Sequence, residues 1–177
     1  IVKHISDRVL TAMFCDDIRQ EVGNKMSFMG CYQSELCVPT APMTLPKLCI
    51  YLTLMTPMAR PLHSLCFKVL LDDDRELARV QIPDDAFSHA LVIHEGRTTR
   101  TCVSAAVVFS PFTIEKRGVV RVLADTDEGE VVGPRLLLKI TPQVDPTAPP
   151  TAEGKLAKLA TQKAAPRKSH TRKPGPA

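Results

Sequence analysis

The pentapeptide FCDDI at 14–18 sets a thiol beside two carboxylates. Such groups supply a nucleophile, a general base or a mixed set of soft and hard metal ligands. A Cys15 nucleophile requires a positioned histidine, and a metal held by Cys15, Asp16 and Asp17 requires ligands from elsewhere in the chain. The sequence identifies neither. The same residues fit the end of a strand, with both carboxylates accepting backbone N–H groups where the chain turns into IRQEVGNK. On that reading FCDDI is a feature of the fold. No catalytic residue is assigned, and Cys15, Asp16 and Asp17 remain weak metal candidates only.

Other acidic groups invite a calcium reading: DDD at 72–74, DD at 84–85 and DTDEGE at 125–130. DTDEGE lacks the third oxygen ligand and the distant Glu of a helix-loop-helix calcium loop, and Asp-rich and Gly-rich hairpin turns need no metal. His89 and His94 are five residues apart, which puts them on opposite faces of a strand or some 140° apart around a helix. His63 and, near the terminus, His4 complete the histidines of the body. No nucleophile elbow, zinc-protease helix, phosphate loop or dinucleotide fingerprint occurs. No cofactor is implied. The six cysteines contain no C-x-x-C and fall mostly in apolar strand-like runs, where a free thiol packs as a small hydrophobe. They suit a reducing, cytoplasmic compartment.

The elements that would position these groups are strands. In LCIYLTLM at 48–55, Leu48, Ile50, Leu52 and Leu54 share one face, and the other face is also largely apolar, as in a central strand. Phe67, Val69 and Leu71 lead into DDDR and a second alternating run to Ile82, which predicts a hairpin. TCVSAAVVF at 101–109 is another strand, and VVRVLA and RLLLKI flank the turn DTDEGE as a further hairpin. VLTAMF and KMSFMGCY flank a polar connection containing Gly23 and Asn24. Residues 84–96 accommodate either one helical turn or a strand. About eight strands with turns every ten or so residues predict an all-β, antiparallel sandwich, immunoglobulin-like or C2-like.

The net charge of +4 over 177 residues is uneven. Residues 143–177 hold seven Lys and Arg against Asp145 and Glu153, or +5, leaving the rest at −1. A basic folded body that would grip a phosphate backbone is therefore not indicated. The chain reads as a sandwich domain over 1–142 and a disordered Pro-, Ala- and Lys-rich tail over 143–177, within which EGKLAKLATQKAA has only transient helical character. Binding of nucleic acid is open only to that tail, and would be weak and indifferent to sequence because no aromatic side chains are interleaved. No apolar run is long enough to cross a bilayer as a helix. The first residues do not form an export signal, and the sequence begins without Met, which leaves room for a preceding segment.

The succession FCDDIRQEVGNKMSFMGCY, VPTAPMTLPKLCIYLTL and FSPFTIEKRGVVRVLADTDEGEVVGPRLLLKI resembles an uncharacterised bacterial and phage-associated family, catalogued as a domain of unknown function. Its members share a Cys-Asp-Asp-like start, a glycine-lysine strand ending in Gly-Xaa-Tyr or Gly-Xaa-Phe, and Leu-Pro ahead of a hydrophobic strand. The resemblance spans about residues 9–141. It departs where Asn24 separates Gly23 from Lys25 and where residues 84–100 have no counterpart. It implies a compact β-sandwich and brings no activity or catalytic residue with it.

Together these readings point to a non-enzymatic domain that binds another protein or a second copy of itself through a sheet edge. The alternatives are an enzyme or metal-dependent module at Cys15, Asp16 and Asp17, and a nucleic-acid accessory acting through the tail.

Overall fold

The computed structural model describes residues 7–85, 87 and 100–142. The chain divides into two units, Ile1–Pro142 and Gln143–Ala177, and the described residues all belong to the first. Its first six strands are β1 (Val9–Cys15), β2 (Asp17–Glu21), β3 (Lys25–Met29), β4 (Glu35–Val38), β5 (Met43–Leu45) and β6 (Leu48–Pro57). There follow β7 (Leu65–Leu71), β8 (Arg75–Ile82), β9 (Arg100–Phe109), β10 (Phe112–Ile114), β11 (Gly118–Thr126) and β12 (Gly129–Ile140). Asp84, Asp85 and Phe87 are helical; the remainder of 84–96 lies outside the described residues, as do His4, His89, His94 and the tail. No helix among the described residues is long and apolar enough to cross a membrane.

Two main sheets carry the fold. One has three antiparallel strands in the order β1-β6-β9, and the other has five in the order β4-β12-β11-β7-β8. The period-two pattern of β6 is realised directly, because Leu48, Ile50, Leu52 and Leu54 are all enclosed. They meet Leu36, Leu136, Val120, Val122, Phe67 and Val69 in a single core. Each fully buried Leu or Phe contributes roughly 1.5–3 kcal/mol. The β2-β3 and β5-β10 pairs form separate two-stranded sheets.

The structure corrects the sequence reading in three places. Twelve strands are described where about eight were expected. IRQEVGNK is not merely a polar connection: its first half is β2, which pairs back on β3 from Asp17↔Met29 to Glu21↔Lys25. The reversal uses Gly23 and Asn24, both at positive φ, where the chain tolerates only small or amide-bearing residues easily. Finally, the five-stranded sheet is not wholly antiparallel, since β4 pairs parallel to β12 from Glu35↔Leu137 to Val38↔Ile140.

The sheets come close together at an irregularity in β12. The register with β11 shifts between Arg121↔Arg135 and Leu123↔Val132, so β12 carries one extra residue there, Gly133 and Pro134 standing opposite Val122 alone. A methyl at Gly133 would stand 2.7 Å from Leu10 Cδ2 and 2.7 Å from Val122 Cγ2, so only glycine leaves room for β1 to pack on β12.

Candidate functional site

FCDDI forms a corner between β1 and β2. Phe14 points into the core, and Cys15 points to the opposite face, where it lies directly across from Cys49 of β6. Both thiols are buried because the β2-β3 hairpin folds over them, with the Phe28 ring set edge-on to Tyr51 at 5.1 Å between centroids. The chain bends at Asp16. Its amide donates to the Met29 carbonyl at 3.0 Å, its carbonyl accepts from Cys49 Sγ at 3.7 Å, and its carboxylate accepts the Tyr32 hydroxyl. Asp17 accepts from Lys47 Nζ at 2.7 Å and from Arg19 Nε at 3.1 Å.

The electrostatics follow from these partners. Burial pushes the Cys15 thiol up to about 11, helped by neighbouring Cys49, Cys31 and Asp16, so the thiol stays protonated. Burial likewise raises Cys49. Desolvation and the hydrogen bond to Asp16 raise Tyr32. Lys47 and Arg19 hold Asp17 below its ordinary value. A thiol held protonated is the reverse of an activated nucleophile. Both carboxylates are already engaged. Among the described residues no group of three or more His, Cys, Asp and Glu side chains is placed to hold a metal ion.

In the acidic turns at 72–74 and 125–130, carboxylates likewise engage groups of their own chain. Asp73 pairs with Arg121, Asp125 with Lys68, and Asp72 accepts the Val119 amide. Of the six cysteines, all free, Cys15, Cys49 and Cys66 pack inside as expected, whereas Cys31, Cys37 and Cys102 are exposed.

Sequence reasoning missed Arg8. Its side chain is only 1% exposed and lies at the end of the sandwich formed by the 57–62 loop and the β11-β12 turn. Arg8 donates to Asp127 at 3.0 and 3.2 Å, to the Pro61 carbonyl at 3.2 Å and to Thr56 Oγ1 at 3.3 Å. The His63 amide donates to the same Asp127 carboxylate. Partial burial works against ionising Asp127, yet the Arg8 and His63 hydrogen bonds and the Arg8 charge prevail and hold it at about 2. A lone Arg before a strand carries no periodic signal, so only the fold reveals this cluster.

The two sheets present contrasting outer faces. On the five-stranded sheet, Lys68–Asp125, Arg121–Asp73, Arg79–Glu76 and Lys139–Glu35 cover the surface with ion pairs. On the three-stranded sheet, beyond an end row of Pro57 and Arg100, the outward residues form four cross-strand rows. These are Val9, Met55 and Cys102; Thr11, Thr53 and Ser104; Met13, Tyr51 and Ala106; and Cys15, Cys49 and Val108. None carries a charge. The hairpin covers the last row at Cys15 and Cys49, but Val9, Met13 and Val108 are 42%, 41% and 54% exposed. The middle is held by hydroxyls, with Thr53 Oγ1 and Ser104 Oγ 2.9 Å apart. Sheet faces turned to water ordinarily alternate apolar inside with polar or charged outside, and a face without charge departs from that pattern.

No curated protein matches the sequence. The sequence profile of a family of unknown function, DUF6941, matches residues 10–139, which runs from β1 into β12 and leaves out only the first residue of β1 and the last of β12. The chain belongs to that family.

Proposed function

We propose that this chain is a non-catalytic β-sandwich that works by binding another protein through the outer face of its three-stranded sheet. The observation that supports the reading is the unbroken absence of charge across four rows of that face, set against the ion pairs on the opposite sheet. Interface cores are depleted in charged residues and enriched in Met and aromatic side chains, as around Met13 and Tyr51. Six unpaired thiols favour a reducing compartment, the cytoplasm of a bacterial or phage-infected cell. The alternative centred on Cys15, Asp16 and Asp17 gains nothing from a protonated thiol and two engaged carboxylates.

The test is affinity capture from extract of the native host with the full chain and with Met13→Glu and Val108→Glu. A partner retained by the parent and lost from both variants is the expected result. Identical retention by all three chains would sink the reading.

A further inference from the structure

Going beyond the reading of the outer face as an interface, we propose that the β9 edge of the same sheet is occupied by a second copy of the chain. Two β9 strands then pair antiparallel about a two-fold axis and join two three-stranded sheets into one of six.

The four edges of the two main sheets are protected unequally. Exposed edges invite pairing unless they are short, charged, bulged or covered. At the edge of the five-stranded sheet, β4 is only four residues long, and β8 carries Arg75, Glu76 and Arg79 with a register shift against β7 between Val69 and Leu70. At the β1 edge, Tyr32 bridges to Phe14, its amide donating to the Phe14 carbonyl at 2.8 Å. β9 has none of these devices among the described residues. It runs ten residues in unbroken register with β6, from Arg100↔Pro57 to Phe109↔Leu48. From Thr101 to Phe109 it contains no charge, no proline and no bulge. On its far side no described strand pairs with it.

The strand is also complementary to itself. An axis through Ala105 uses the whole uncharged stretch. Val103 then meets the partner's Val107, Ser104 meets the partner's Ala106, and Cys102 meets the partner's Val108. Small residues occupy the axis, β-branched residues flank it, and no like charges oppose one another. Arg100 falls beyond the paired stretch. Because such an axis is perpendicular to the sheet, each outer face remains outward, and the two uncharged surfaces become continuous.

The test measures the solution mass of the full chain by light scattering across a dilution series, alongside Ser104→Lys/Ala106→Lys. Both substituted positions are exposed, and four lysines meeting at the axis should weaken association on the order of 100-fold or more. Circular dichroism checks that the variant folds. A second variant, Ser104→Cys/Ala106→Cys in a Cys102→Ser background, should give a disulfide dimer on mild oxidation in excess of the Cys102→Ser chain alone. A monomeric parent at all concentrations overturns the proposal. So does a dimer that survives the lysines and shows no excess cross-linking. Loss of a captured partner with Met13→Glu from a monomeric chain would reject β9 pairing while leaving the binding face intact; a β9-paired dimer whose captures ignore Met13→Glu would do the opposite.

Discussion

Arg8 and Asp127 stand 119 residues apart in sequence, and two nitrogens of one guanidinium grip both oxygens of one carboxylate. The pair ties the entrance of β1 to the β11-β12 turn, and so one sheet to the other. Asp127→Asn leaves a nearly enclosed cation short of its main partner and should cost on the order of 3 kcal/mol. Urea unfolding near neutral pH measures the loss.

The same pair makes stability depend on acid. Asp127 is held at about 2 in the folded chain against an ordinary 3.8, so the unfolded chain binds its proton more readily. Its contribution is complete above 3.8 and disappears as pH falls through about 2. Unfolding midpoints followed down that interval should fall more steeply for the parent than for Asp127→Asn. Parallel curves would show that the carboxylate contributes little there.

Gly133→Ala should destabilise by about 1–3 kcal/mol, because a methyl set 2.7 Å from Leu10 and Val122 forces the sheets apart. In a chain that already carries Leu10→Ala, the added cost of Gly133→Ala should be smaller, because one of the two obstacles is gone. Thermal unfolding of the single and double variants checks the coupling.

Gly30→Ala should be at least as damaging. Gly30 lies at φ +65, and an added methyl would collide with the Asp16 carboxylate. The expected readout is loss of the Asp16–Tyr32 contact, seen as a fall of the tyrosine ionisation midpoint in ultraviolet titration towards its ordinary 10.0. An unchanged titration would show that the corner tolerates a side chain.

Brief alkylation of the native chain should label Cys31, Cys37 and Cys102 and spare Cys15, Cys49 and Cys66. Denaturant should release the remaining three, with peptide mass spectrometry counting the adducts. A Cys15 that reacts first would restore the case for a nucleophile.

The parts of this fold that the sequence discloses are those with local period. Leu48, Ile50, Leu52 and Leu54 announce their strand, and the residues 72–74 and 125–130 announce their hairpins, because alternation and turn chemistry lie within a short window. The corner at FCDDI is half legible. Asp16 lies at the bend as expected, but Asp17 opens β2, and the two carboxylates accept from the side chains of Tyr32, Lys47 and Arg19 where backbone N–H groups were expected; of these donors Tyr32 and Lys47 are brought in by distant chain. Arg8 is illegible for the same reason, its partners lying at Thr56, Pro61 and Asp127. The uncharged face emerges only once register sets Val9 beside Met55 and Cys102, since each strand alone looks ordinary.

The parallel seam between Glu35–Val38 and the end of Gly129–Ile140 joins stretches separated by about a hundred residues, with the later one inserted between neighbours already made. A ribosome delivering this chain from its beginning must release Leu36 and Val38 long before their cover, Leu136 and Leu138, has been translated. Completion of the larger sheet is thus a late event that waits on the final strand, and such distant pairing slows the search for the native arrangement.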